Sequence, residues 1–151
     1  MTTALLGVCQ SAGAVDPAPR ISQLGHTAWR LQDGAFAGAP ASITQTTDGY
    51  LWIGTSAGLV RFDGVRFLPF APRGQELESP TIFSLLGASD GSLWIGTGVG
   101  LARLQGGKLT SFGDSARGLI YDIREGKDGS IWMARARTSD GRGPLCTVVE
   151  T

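Results

Sequence analysis

Few residues of this 151-residue chain are of a type and spacing that could do chemistry. His26 is the single histidine, and no serine, cysteine or carboxylate stands near it in a base-and-nucleophile pattern. Nucleophilic or general-base catalysis needs such a constellation, so His26 reads as a structural or surface residue and no catalytic residue is assigned. Asp48, Asp90 and Asp128 recur, each followed by glycine. A calcium loop would need several oxygen ligands at close alternating positions and then a bidentate glutamate. Thr47-Asp48-Gly49 and Ser89-Asp90-Gly91 lack them, so the acids read as turn residues, and no metal or other cofactor is expected. Trp52, Trp94 and Trp132 raise the thought of an aromatic ligand cage, but packing between repeated units explains them more simply. Arg135, Arg137 and Arg142, opposed by Asp140, make one locally basic loop. They are the candidate contacts for an anionic ligand or a partner domain, set against a merely solvated loop. Cys9 and Cys146 are too few for a disulfide framework or a Cys-rich metal site. Cys146 is expected as a small buried strand residue.

These residues sit in a repeat. Asp48-Gly49-Tyr50-Leu51-Trp52-Ile53-Gly54-Thr55 returns as Asp90-Gly91-Ser92-Leu93-Trp94-Ile95-Gly96-Thr97, and in degraded form as Asp128-Gly129-Ser130-Ile131-Trp132-Met133-Ala134-Arg135. The tryptophans are 42 and 38 residues apart. Units of about 40–45 residues, each giving four short strands, are the signature of β-propeller blades. Thirteen basic and thirteen acidic side chains cancel, which gives no electrostatic reason to expect nucleic acid or an anionic membrane. No run approaches the roughly 18 apolar residues of a membrane span. The 23 glycines cluster where turns would fall, favouring short strands over long helices.

The expected fold is therefore all-β, with about three blades of four antiparallel strands in an incomplete ring. Blade 1 spans 42–70, blade 2 spans 81–112, and blade 3 spans 118–151 with an insertion at 135–143. Residues 1–20 read as a truncated signal peptide and linker, lacking a basic beginning. Residues 21–41 are a lead-in with one short strand at Ala28–Leu31. Asp48-Gly49 and its repeats read as two-residue hairpins with positive φ at both positions. The Asp-Gly pairs set the register that points each tryptophan into the gap between blades. Gly54 and Gly96 leave room there for a neighbouring backbone or ring. Leu145 is taken as the counterpart of Leu59 and Leu101, which makes the insertion about six residues. Its loop, between the second and third strands of blade 3, is expected on the face framing the central channel. An open arc of three blades would leave two blade faces exposed.

Asp-Gly-Xaa-Leu-Trp-Ile-Gly-Thr followed by Gly-Leu-Xaa-Arg closely resembles the two-component regulator propeller repeat. His26 to Gly34 and Phe62 to Phe67 resemble the opening of such sensors, so the resemblance runs over about residues 24–150. It implies a periplasmic, non-enzymatic sensory segment of a membrane-anchored bacterial histidine kinase or hybrid regulator. The partners it implies are further blades of a longer parent and an unidentified small-molecule or protein signal. Streptogramin lyases carry a similar Gly-Xaa-Leu-Trp motif, so a propeller enzyme is the competing reading, and an interaction scaffold the third.

Overall fold

The computed structural model describes residues 27–71, 75–113, 116–136 and 146–149. The leader-like stretch, His26, Cys9, Arg137 and Arg142 lie outside the described residues. Three antiparallel sheets follow one another along the chain. Blade 1 comprises β1 (Pro40–Gln45), β2 (Leu51–Thr55), β3 (Gly58–Phe62) and β4 (Phe67–Phe70). Blade 2 comprises β5 (Ile82–Gly87), β6 (Leu93–Thr97), β7 (Leu101–Gln105) and β8 (Lys108–Ser111). Blade 3 comprises β9 (Ile120–Glu125), β10 (Ile131–Arg135) and β11 (Cys146–Val149). Each is a meander of neighbours in chain order. The first strands lie beside one another, β1 by β5 and β5 by β9, so they form the inner side of the arc. This is the all-β propeller architecture the repeat calls for, with three strands described in the last blade instead of four.

The Asp-Gly turns differ from the two-residue hairpin expected. Only the glycines take positive φ, Gly49 at 89°, Gly91 at 81° and Gly129 at 82°, and no non-glycine residue does so among the described residues. Gly49 N donates to Thr46 O (2.9 Å) and Thr46 N to Tyr50 O (3.1 Å), and both bonds recur at Ala88–Ser92 and Gly126–Ser130. That is a three-residue loop, a turn followed by one left-handed glycine. The aspartate keeps an ordinary backbone because its carboxylate accepts the amide two residues on, as Asp90 does from Ser92 N at 2.9 Å. A similar cap shortens β4. Asp63 Oδ1 takes the amides of Val65 (2.8 Å) and Arg66 (2.7 Å), so the strand expected from Val65 begins at Phe67.

Two cores fill the two gaps between blades. Trp52 and Leu59 of blade 1 meet Ile82, Leu93 and Ile95 of blade 2. Trp94 and Leu101 of blade 2 meet Ile120, Ile131 and Met133 of blade 3. Trp94 is 1% exposed and stacks on Phe112, while Trp52 is 5% exposed and meets Phe70 edge-on. A Cβ on Gly54 would stand 2.5 Å from Ile82 Cγ2, and one on Gly96 2.8 Å from Ile120 Cγ2. The neighbour admitted by each glycine is therefore a β-branched side chain, not a backbone or a ring.

Several expectations fail at the ends of the arc. Trp132 fills no gap. It is 45% exposed, because it faces away from blade 2 and nothing among the described residues lies beyond it. Cys146, expected buried, is exposed for the same reason, since it pairs with Ala134 on that open face. It is Cys146, not Leu145, that opposes Ala134 as Leu59 opposes Gly54, so the insertion is one residue longer than the spacing suggested. Ala28–Leu31 is no strand, and a 3-10 turn covers Leu31–Asp33. Contact of the half-exposed Trp29 ring with Phe62 (5.7 Å) and Phe67 (5.3 Å) prevails over a ladder with no partner. With Phe36 also on Phe67, the lead-in caps blade 1 where a bare face was expected. Ile53 and Val60 at its centre are each only 5% exposed.

The two tryptophans at either end of this contrast should differ in worth. Trp94→Ala is expected to cost about 3–5 kcal/mol, as for a large aromatic removed from a core. Trp132→Ala should cost under about 1 kcal/mol. Urea denaturation of both variants at low protein concentration checks this.

Candidate functional site

The blades share one end where the loops between second and third strands meet the connectors entering each first strand. Main-chain bonds stitch it together: Ser56 N to Ala39 O (3.0 Å), Gly118 N to Val99 O (3.1 Å) and Ala136 N to Leu119 O (2.9 Å). At this end each innermost strand carries a register shift that skips one residue. The skipped residues are Ala41, Phe83 and Tyr121, each eleven positions before its repeat tryptophan. A bulge takes a side chain out of the ladder and re-aims it. Here Phe83 is 38% and Tyr121 57% exposed, with Val99 on the neighbouring loop at 42%. Ser84 Oγ donates to Ile120 O (3.2 Å), so the two bulged strands are held directly together beside these rings.

Arg135 belongs to the same end. It pairs with Ile120, one residue from Tyr121. Its counterparts Thr55 and Thr97 are buried and close their turns, with Oγ1 donating to Gly58 O (2.8 Å) and Gly100 O (2.9 Å) respectively. Arginine cannot make that tight turn, and the insertion begins where it is lost. Arg135 Nη1 donates to Arg117 O (3.1 Å), while its buried Nε has no hydrogen-bond partner among the described residues. Of the three basic candidates, Arg135 is thus placed at the loop end, and Arg137 and Arg142 lie outside the described residues. Phe83 and Tyr121 escaped the sequence reading, although their fixed distance from the tryptophan was available. Two exposed aromatic faces near a guanidinium suit a ligand or partner with a flat apolar surface and an anionic group.

The recurring acids serve their own turns. Trp52 Nε1 donates to Thr46 Oγ1 (2.8 Å), which donates to Asp48 Oδ1 (2.6 Å). In blade 3, Trp132 Nε1 donates to Ser130 Oγ (2.9 Å), which donates to Asp128 Oδ1 (2.6 Å). Asp90 accepts from Ser92 Oγ (2.6 Å) and from Arg103 Nη2 (2.5 Å), with the Arg103 guanidinium 5.2 Å from the Trp94 ring centre. The Ser92 hydroxyl first, then the Ser92 amide and Arg103, holds the Asp90 carboxyl below its ordinary value despite some burial. The Ser130 hydroxyl and amide lower Asp128 in the same way. Among the described residues no group of acids, histidines and cysteines could hold a metal ion. A cleft of about 390 Å³ opens between blades 1 and 2, lined by Leu59, Phe70, Leu77, Ile95 and Leu109. Gln75 and Glu76 are its polar lining, and Gln75 Oε1 already accepts from Leu109 N.

Residues 76–98, which include the first two strands of blade 2, match the family profile described as two component regulator propeller. No curated protein matches the chain in sequence. Among solved structures, it is similar to the extracellular domain of the hybrid two component system BT3049 from B. thetaiotaomicron. Identity is 18% and the TM-score 0.62, over 75% of this chain and 17% of that one. It is also similar to virginiamycin B lyase from Staphylococcus aureus, at 21% identity and a TM-score of 0.53, over 76% of this chain and 42% of the enzyme. A form of that lyase with quinupristin matches equally. At these identities the likeness is one of fold. The chain spans less than half the length of each of these structures.

The lowered carboxylates imply an acid limb. A depressed folded pKa contributes stability that is complete above the ordinary value of 3.8 and is lost as pH falls through the folded value. The urea midpoint should therefore fall as pH is lowered from about 5 to about 2.5. Ser92→Ala, which removes the largest cause at Asp90, should flatten that fall.

Proposed function

We propose that this chain is an input segment of a bacterial two-component signalling protein. It works outside the cytoplasm as part of a membrane-anchored parent and is itself non-catalytic. It binds a small-molecule or protein signal at the loop end of its blades, through Phe83, Tyr121 and Arg135. The two-component propeller repeat at 76–98 and the extracellular fold neighbour support the class. The observation that carries the site is a contrast within the repeat. Trp, Gly and Asp positions that hold blades together recur, whereas the exposed bulge position reads Ala41, Phe83, Tyr121 and the turn position reads Thr55, Thr97, Arg135. Residues that build are repeated, whereas the exposed bulge residue differs in every blade, and at the turn position the buried threonine of blades 1 and 2 gives way to Arg135. Among the described residues no helix is long and apolar enough to cross a membrane.

The competing reading, a lyase of the kind named among the fold neighbours, is separated by a direct assay. Quinupristin incubated with the purified chain is expected to remain unchanged on chromatography, and turnover would overturn the sensor reading. In the native host, chromosomal Tyr121→Ser with Arg135→Ala should abolish signal-dependent transcription while protein levels stay constant. Intact signalling in that strain would move the input away from this end.

A further inference from the structure

Blades 1 and 2 carry the same acid and the same base at matching positions and use them differently. In blade 2 they close on each other, Arg103 Nη2 to Asp90 Oδ2 at 2.5 Å. Asp48 and Arg61 stand 42 residues earlier, but no ion pair joins them among the described residues. The residue two places after the aspartate accounts for this. In blade 2 it is Ser92, which has no ring to draw Arg103 aside. In blade 1 it is Tyr50, and the Arg61 guanidinium lies 4.4 Å from its ring centre and 5.9 Å from that of Phe70. Cation–π attraction thus takes the base away from the acid. Arg61 Nε is left buried with no hydrogen-bond partner among the described residues. Asp48 Oδ1 accepts from the Thr46 hydroxyl (2.6 Å) and the Tyr50 amide (3.4 Å), and among the described residues nothing donates to its Oδ2.

Both separated charges line a cavity of about 230 Å³ in the gap between blades 1 and 2, walled by Trp52, Phe70, Leu93 and Leu104. It lies at the Asp-Gly turn end, opposite the end that holds Phe83, Tyr121 and Arg135. Asp48 is exposed and Arg61 half-buried, whereas Trp52, Leu93 and Leu104 are buried. The polar end of a ligand would therefore sit at the mouth and its apolar end inside. A purely anionic ligand would meet Asp48 and a purely cationic one Arg61, so a zwitterion is the species that satisfies both. The guanidinium fork matches a carboxylate, and Oδ2 can take an ammonium. The volume is below the roughly 300–1,000 Å³ of pockets for drug-sized ligands, which calls for a small molecule. We propose that this cavity binds a free α-amino acid with an apolar side chain. Its carboxylate lies on Arg61, its ammonium on Asp48, and its side chain against Trp52, Leu93 and Leu104.

Titration of the ¹⁵N-labelled chain with L-leucine up to about 10 mM, a range that covers weak binding, tests this. The indole N–H resonance of Trp52, assigned with Trp52→Phe, should shift saturably. Leucinamide lacks the carboxylate and 4-methylpentanoate lacks the ammonium, and each should bind about tenfold or more weaker. Tyr50→Ser installs the residue of blade 2, so Arg61 should close on Asp48 and leucine affinity should fall about tenfold or more. Asp48→Asn keeps the turn acceptor and removes the charge, so it should weaken leucine by a similar factor without weakening 4-methylpentanoate. Near-UV circular dichroism from the buried Trp94 shows whether each variant is folded, and Asp48→Asn decides the matter if Tyr50→Ser is not. No saturable shift with leucine, equal affinity for 4-methylpentanoate or leucinamide, or an affinity unchanged in either folded variant would each overturn the proposal.

Discussion

Blade-to-blade approach in this protein is limited by one atom, the Cβ that Gly54 and Gly96 lack. In its absence Ile82 Cγ2 comes to within 2.5 Å of where a Cβ on Gly54 would be, and Ile120 Cγ2 to within 2.8 Å at Gly96. Close-packed interiors do not absorb an added methyl freely, so this contact sets the spacing of the sheets. Once the spacing is set, a tryptophan two residues earlier on the same face has a gap of its own size to fill. Trp52 and Trp94 fill it, and their rings then pack on Phe70 and Phe112 from the outer strand or its end. The glycine and the tryptophan are thus one device, with one bringing the inner part of the sheets together and the other filling what remains.

In blade 1 that device carries a polar group into the core, and the turn satisfies it; the exposed Trp132 keeps the same bond. An indole N–H left without an acceptor inside a protein is costly. Trp52 hands its hydrogen to Thr46 and thence to Asp48, and Trp132 hands its own to Ser130 and thence to Asp128. The aspartate therefore answers two demands, capping its turn through the amide two residues on and ending a relay that starts at the ring. The hydroxyl can come from either side of the aspartate, so Thr46 and Ser130 do the same work from different sequence positions. The glycine that follows must take positive φ for the relay to close. In blades 1 and 3 Asp, Gly and Trp are thus mechanically connected.

The blade architecture was legible from the sequence because its signals are local and repeated: the period, the Asp-Gly turns, the tryptophan spacing. What the sequence hid depends on neighbours. Trp132 has the same motif as Trp94, but no neighbour packs on it among the described residues. Trp29 reads as part of a strand until Phe62 and Phe67, more than thirty residues away, are seen to receive it. Cys146 looks like a core residue until its partner Ala134 is placed on the outer face. The loop end was half legible. Arg135 was visible as a break in the motif, whereas Phe83 and Tyr121 reach solvent through a register shift that apolar periodicity does not reveal.

The departures of the third repeat are easily taken as one event, a repeat decaying, but they point in two directions. Arg135 replaces the threonine of a turn and lies at the loop end beside Tyr121, where a longer connection can grow without touching the core. Ala134, Asp122 and Val148 replace the glycine, the serine and the arginine of a blade face, and they change what that face can accept. Random decay would have no reason to spare Ile120, Ile123, Ile131 and Met133, which face blade 2 and are each 2% exposed or less. The inward side of blade 3 keeps the packing of the repeat while its outward side and its loop end have both left it.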